Sequence, residues 1–156
     1  MTSVEVSPVA ATSLREPLRL LEGWLREGEP VPNLFAEELG RLVEAGDLEV
    51  LAARLEGQTV GVLTLAFRPS VSLGAPFASI EDLYVHPRAR RRGVGSALLR
   101  AAQDRCKQRG ISYLEVQIED DTMVFYAASG YEAESDARVF SKPLPLEGGE
   151  NRGAEG

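Results

Sequence analysis

Residues 87–99, PRARRRGVGSALL, hold the most suggestive chemistry in the chain. Arg88, Arg90, Arg91 and Arg92 lie within five positions, Gly93-Val94-Gly95 follows, and an apolar repeat then opens a helix. The first N–H groups of a helix have no carbonyl partner one turn back, and the helix dipole adds partial positive charge at that end. Gly93 and Gly95 would let an anion approach the backbone with no Cβ in the way. Arginine forks match phosphate oxygens. The segment therefore reads as a seat for a pyrophosphate. A Walker loop is excluded, because no Gly-Lys-Ser/Thr follows a glycine at the required spacing. A dinucleotide fingerprint is excluded too, because Leu98 stands where G-x-G-x-x-G needs its third glycine. The pattern present is R-x-x-G-x-G, Arg90 to Gly95.

This basic block is out of character with its surroundings. Residues 86–110 carry eight Lys/Arg against one Asp, a net of +7, while the rest of the chain carries a net of −14. Nucleic-acid binders spread basic charge over a face, and no aromatic residues interleave with these arginines, so a small local polyanion fits better and no nucleic-acid partner is expected. The 156 residues, 44% hydrophobic and 26% charged, suit one globular domain. No apolar run approaches the roughly 20 residues of a membrane helix, and the N-terminal stretch has no signal-peptide pattern. Cys106 is the single cysteine and His86 the single histidine, so neither an internal disulfide nor a conventional zinc site is expected. Cys106 falls on a helical apolar face and reads as a buried thiol. These features lead us to expect a cytoplasmic protein without membrane or metal partners.

The elements that must position the loop follow from periodicity. Residues 4–9 alternate like a short edge strand, with Pro8 suited to an edge. Ser13 and Glu16 form a capping-box pattern before a helix marked by Leu14, Leu18, Leu21 and Leu25. Asn33 is expected to cap a second helix that Gly46 ends. Two strands then flank a turn at Glu56-Gly57-Gln58, and a loop at 70–76 precedes a third strand ended by Pro87. Val94, Leu98, Ala101, Ala102 and Cys106 mark the helix after the arginines, which Gly110 closes. Residues 111–118 read as a strand, 120–129 as a short helix, and 131–144 as a last strand or hairpin. The order predicts an α+β fold, its sheet mostly antiparallel and its helices on the faces, with one parallel β-α-β crossover around the basic loop. A single domain over 1–145 and a disordered Gly/Glu-rich tail over 146–156 are expected.

From about residue 78 to residue 131 the chain resembles the GNAT superfamily of N-acetyltransferases. The resemblance joins a Leu83-Tyr84-Val85 strand end, the R-x-x-G-x-G loop, the following helix and strand, and Phe125-Tyr126 followed by Gly130-Tyr131. It implies a GNAT-like sheet and acetyl-CoA as donor. Backbone N–H groups of Arg91, Arg92, Gly93, Val94, Gly95 and Ser96, with the Arg90 to Arg92 side chains, would hold the pyrophosphate. Leu83, Tyr84 and Val85 would pair with the pantetheine arm like an added strand. In polyamine acetyltransferases of this superfamily a Glu-Asp pair stands where Glu81-Asp82 stand here. That implies Glu81 as general base and Asp82 as a group orienting the acceptor amine. A backbone N–H near Leu83 would stabilise the oxyanion, and Tyr126 falls on the family's general acid.

Adjacent strand residues point to opposite faces, so only one of Glu81 and Asp82 should face the acceptor unless a bulge intervenes. The family often has an asparagine seven residues before the tyrosine. Here that position is Glu119, and with Asp120 and Asp121 it suggests a cationic acceptor, unless one of the aspartates simply caps the short helix. The acceptor pocket should draw on the N-terminal helices and the loop at 70–76. The resulting expectation is acetyl transfer, in a direct ternary complex, to a primary amine of a small cationic acceptor. Protein lysine or N-terminal amines are an alternative, as is a non-catalytic acyl-CoA sensor, against which Glu81 and Tyr126 count. A homodimer is plausible for such folds.

Overall fold

The computed structural model describes residues 3–134 and 136–146. They fall into two compact units, Met1–Met123 and Val124–Gly156. In the first, β1 (Glu5–Pro8), a 3-10 turn (Ala11–Ser13), α1 (Arg15–Leu25) and α2 (Asn33–Ala45) precede β2 (Leu48–Leu55), β3 (Gln58–Ser70) and β4 (Ala75–Val85). A 3-10 turn (Pro87–Ala89), α3 (Val94–Gln108), β5 (Leu114–Val116) and a last 3-10 turn (Asp120–Thr122) complete it, and α4 (Met123–Ala128) leads into the second. The five strands form one sheet in the order β1-β2-β3-β4-β5. All neighbours are antiparallel except β4 and β5, joined in parallel through α3. The fold is α+β, with the mixed and mostly antiparallel sheet anticipated from element order. Among the described residues, no helix is long and apolar enough to cross a membrane.

Period-two alternation assigns the sheet faces. Leu48, Val50, Ala52 and Val62 pack with Val9 and with Leu21 of α1, and Leu39 and Leu42 of α2 rest against this cluster. Between them on β2 and β3, Leu51, Ala53, Leu55, Leu63 and Leu65 are buried toward the other face, where α3 lies. Gly61 of β3 brings α3 close. A Cβ built there would stand 2.9 Å from Val94 Cγ1, 3.1 Å from Leu98 Cδ1 and 3.3 Å from Tyr84 O. Two salt bridges pin the far end of α3 to the same face, Arg105 Nε to Glu49 Oε1 at 2.6 Å and Arg109 Nη1 to Glu49 Oε2 at 3.0 Å. The Arg109 guanidinium also stacks 3.5 Å over the Phe67 ring.

Several local expectations shift. Ser13 does not cap α1. It ends the 3-10 turn, and Leu14, already αR at φ −76°, is the capping residue and makes no side-chain cap bond. Asn33 is the first helical residue of α2 rather than its cap, which is Pro32. The loop at 70–76 shrinks to 71–74, because Pro69 pairs with Pro76 and Ser70 with Ala75. The strand expected over 111–118 keeps only Leu114–Val116, the stretch that finds a ladder partner on β4. No strand forms among the described residues of 131–146. Prolines at 143 and 145 and an acidic, weakly alternating stretch give that segment little to pair with. The tail expected to be disordered lies, beyond Leu146, outside the described residues.

Candidate active site

The site is built around an irregularity in β4. Its register against β3 runs Ser79↔Ala66 and Ile80↔Leu65, then resumes at Asp82↔Thr64, leaving Glu81 as the extra residue of a β-bulge. Ile80 shares Leu65's side of the sheet, so alternation sends Glu81 to the opposite side, toward α1 and α2. The bulge then repeats that orientation for Asp82, which sits opposite Thr64. Two neighbouring carboxylates therefore share one face, and both line a cavity of about 470 Å³ together with residues of α1, α2, β2 and β3. The N-terminal helices contribute to this wall as expected, but residues 70–76 do not. Glu119, at the cap of the 3-10 turn that follows β5, is not among the lining residues either.

Each carboxylate has its own partner. Thr64 Oγ1 donates to Asp82 Oδ2 at 2.6 Å, from a hydroxyl on a buried residue. Glu81 Oε1 faces Arg68 Nη2 at 3.7 Å, and the same nitrogen reaches Glu115 Oε1 at 3.3 Å. Arg68 also lies over the Phe77 ring, 5.1 Å from its centroid. The Glu81 side chain is 46% exposed, so this pair orients the carboxylate more than it stabilises the fold.

The bulge also coincides with a parting of strands. Parallel pairing of β4 with β5 ends at Ile80↔Val116, while β4 continues through Leu83, Tyr84 and Val85, paired among the described residues only to Leu63, Val62 and Gly61 of β3. The opposite edge of those residues offers backbone groups to an extended ligand. Tyr84 is fixed by its ring, which stacks on Trp24 of α1 at 4.8 Å and 11°.

Beyond β4 the chain turns through Pro87–Ala89, where His86 Nδ1 accepts from the Arg88 N–H at 3.1 Å and Ala89 is buried as an anchor. Arg91 then adopts φ 65° and Gly93 φ 79°, two left-handed residues within three positions, at the entry to α3. A non-glycine residue in that region is uncommon, and such backbone forms the concave amide clusters that hold anions. Among the described residues, a Cβ at Gly93 would meet nothing within 4 Å, so they leave the backbone open there. The helix ladder begins with Ala97 N–H on Gly93 O at 3.0 Å, so the amides of Val94, Gly95 and Ser96 are first-turn donors. Arg91 and Arg92 are exposed, while Arg90 turns its Nε back onto Val85 O at 3.2 Å and lies 5.9 Å from the Tyr84 ring centroid. The strand end and the loop are thus braced by one arginine.

In the second unit, Tyr126 is buried, with Phe125 at 5.1 Å and Tyr131 at 5.5 Å between ring centroids. Gly130, at φ 91°, lets the chain reverse so that Tyr131 N–H donates to Tyr126 O at 3.1 Å. Burial first, and Tyr131 second, push the Tyr126 phenol above its ordinary value.

The acetyltransferase (GNAT) family model matches residues 11–131. The chain belongs to the GNAT acetyltransferase family. It is 31% identical over 119 residues, 70% of this chain and 76% of the relative, to the aminoglycoside N(6′)-acetyltransferase type 1 of Klebsiella aerogenes. Its fold matches that of an aminoglycoside acetyltransferase from an uncultured soil metagenomic sample, in complex with trehalose. That match has a TM-score of 0.79 and 26% identity, covering 91% of this chain and 97% of the other. It also has the fold of an aminoglycoside antibiotic 6′-N-acetyltransferase from Acinetobacter baumannii, with a TM-score of 0.70 and 20% identity over 92% of this chain and 100% of that one. The protein is therefore an N-acetyltransferase, and its family uses acetyl-CoA as donor.

Three residues at the candidate site escaped sequence reasoning. Thr64 reads as an ordinary strand residue, and only the β3–β4 register places it on Asp82. Trp24 stacks on Tyr84 across elements 60 positions apart in sequence. Glu22 lines the cavity from α1 and is only 5% exposed. A signal for Glu22 was present: it stands four residues after Leu18 and three before Leu25, on the flank of an apolar stripe where a carboxylate is out of place.

Proposed function

We propose that this chain transfers an acetyl group from acetyl-CoA to a primary amine of a small cationic acceptor. The observation that carries the reading is the bulge at Glu81, which turns two adjacent carboxylates into one cavity where β4 parts from β5. The loop fits the donor. The left-handed pair Arg91 and Gly93, the open face of Gly93 and the first-turn amides through Ser96 suit a pyrophosphate, with the Arg91 and Arg92 side chains adding charge. The edge of Leu83 and Tyr84 away from β3, which carries no strand among the described residues, suits an amide-bearing arm, with Val85 beside it holding the Arg90 guanidinium on its carbonyl.

An alkylamine arrives protonated, with a pKa of about 10.4, and must lose that proton to attack a thioester. Glu81 takes it, directly or through a water. Asp82, its Oδ2 already accepting from Thr64, holds the acceptor nitrogen with its remaining lone pairs. As the N–C bond forms and the C–S bond breaks, an amide near Leu83 steadies charge on the acetyl oxygen. The departing sulfur needs a proton. The family pattern assigns that step to Tyr126, whose raised phenol keeps its proton through neutral pH. Glu119 takes no part in the cavity, and its role in our reading is limited to the acidic surface around the site. The aminoglycoside substrates named for the relatives are one acceptor class to include. A cytoplasmic homodimer of single-domain chains completes the proposal.

The test is free-thiol release from acetyl-CoA with spermidine, an aminoglycoside, lysine, a lysine peptide and simple alkylamines. Release with one class, reduced about 100- to 10,000-fold in Tyr126→Phe and Glu81→Gln, is expected. Stabilisation by CoA with no release from any amine would sink the acceptor assignment.

A further inference from the structure

The cavity beside Glu81 and Asp82 holds a third carboxylate that the proposed chemistry does not use. Glu22 of α1 lines it and is only 5% exposed. Its Oε2 accepts from the Val31 N–H at 2.6 Å, a bond that ties the link between α1 and α2. Among the described residues no cation lies within ion-pair distance of it; Arg26, one turn on, also lines the cavity, but its guanidinium pairs with Glu29 at 3.7 Å rather than with Glu22. A buried carboxylate has about four acceptor positions and is costly to leave without a counter-charge. Glu22 fills one of them with a neutral donor. Most of the wall between it and the bulge is hydrocarbon, including Leu18, Leu21, Phe35, Leu39 and Val50.

We infer that Glu22 is a specificity-determining residue that binds a second cationic nitrogen of the acceptor, and that the acceptor is an amine whose two nitrogens are separated by a hydrocarbon spacer. The reacting nitrogen sits at Glu81 and Asp82, the distal ammonium supplies the charge that Glu22 lacks, and the spacer covers the leucine wall. Hydroxyl-rich bodies are disfavoured there, because each hydroxyl set against leucine or valine loses a water partner without gaining another. The inference rests on taking this cavity as the acceptor site.

The experiment compares α,ω-diamines of three to ten carbons with monoamines of matched length, in wild type and in Glu22→Gln. Glutamine keeps an oxygen for the Val31 N–H and removes only the charge, so the α1–α2 link should hold, and a thermal melt checks this. In wild type, kcat/KM for the best diamine should exceed that of its monoamine by about 10- to 100-fold, with an optimum at one spacer length. In Glu22→Gln the ratio should fall to about one and the length optimum should flatten. Glu22→Asp, which keeps the charge on a shorter arm, should retain a preference and move the optimum to a longer spacer. A wild-type ratio near one, or a ratio unchanged in Glu22→Gln, overturns the inference while leaving the acetyltransferase reading intact. If no amine supports thiol release, that reading fails instead. Calorimetric titration of the protein with 1,6-diaminohexane and hexylamine then decides the inference: tighter diamine binding that Glu22→Gln abolishes supports it, and equal binding overturns it.

Discussion

Adding one methyl group at Gly61 should report on how α3, and with it the anion loop, is seated. Gly61 lies within β3, where a glycine ordinarily weakens a strand and its replacement by alanine ordinarily stabilises by about 0.4–1 kcal/mol through the unfolded chain. Here the new Cβ would stand 2.9 Å from Val94 Cγ1, 3.1 Å from Leu98 Cδ1 and 3.3 Å from Tyr84 O. Ordinary contact begins near 3.4 Å, so several tenths of an ångström must be found at Val94 and Leu98, with Tyr84 O slightly too close as well. Valine in a helix has one strongly preferred rotamer, and Val94 is 1% exposed, so it has nowhere to turn. Leu98 is 0% exposed and equally confined. The helix must therefore shift as a body. Overpacking of this kind costs about 1–3 kcal/mol, which for a chain of this size lowers Tm by roughly 2–12 °C. Val94 is also the first residue of α3, so the displacement carries the amides of the loop with it. Gly61→Ala should lower Tm in a thermal melt and, if CoA raises the Tm of the wild type as proposed, should also reduce that rise. A variant as stable as wild type or more so, with an undiminished response to CoA, would refute the reasoning.

Two other outcomes follow from single contacts. Thr64→Val removes the donor to Asp82 at nearly constant volume. Hydrogen bonds to charged groups are worth about 1.5–3 kcal/mol, so kcat/KM should fall by roughly 10- to 150-fold, and Thr64→Ser should restore most of it. An unaffected kcat/KM in steady-state assays would remove Asp82 from the reaction. The Tyr126 phenol, raised chiefly by burial, contributes stability that is complete below the ordinary phenol value of about 10 and is lost as pH rises through the folded value. The Cys106 thiol is raised in the same sense, by burial first and the charge of Glu49 second, so its loss begins lower, in the ordinary thiol range above about 8.5. Urea midpoints should therefore decline from mildly alkaline pH upward. Cys106→Ala should delay the onset, and Tyr126→Phe should flatten the later part. Superimposable profiles for the three proteins would contradict both assignments.

Much of the loop was legible because its chemistry is local. A glycine-bearing helix start with arginines before it reads from sequence as a place an anion could sit, and the helix does open at Gly93 and close at Gly110, which takes the left-handed φ its position implied. The Glu56-Gly57 turn was legible for the same reason, with left-handed values at both residues joining β2 to β3. Other local signals misled. Ser13 carries the right side chain for a cap, but the 3-10 turn before α1 already holds the backbone in a helical course, so a cap has no place there.

The site itself was decided at longer range. Residue order offers Glu81 and Asp82 as neighbours on a strand, and alternation alone would send them to opposite faces. The missing partner for Glu81 on β3 reverses this, and a bulge depends on how two strands 18 positions apart align. Thr64 meets Asp82 only through that alignment. Glu22 becomes more than a misplaced polar residue only when α1 and α2 close over the sheet. Residue order thus specified the turn and the helix start after β4, because one stretch of chain builds them. Which carboxylates share a face, and what else shares their cavity, depended on contacts among α1, α2, β2, β3 and β4, since the physics of a bulge and of a buried charge belongs to the neighbours as much as to the residue.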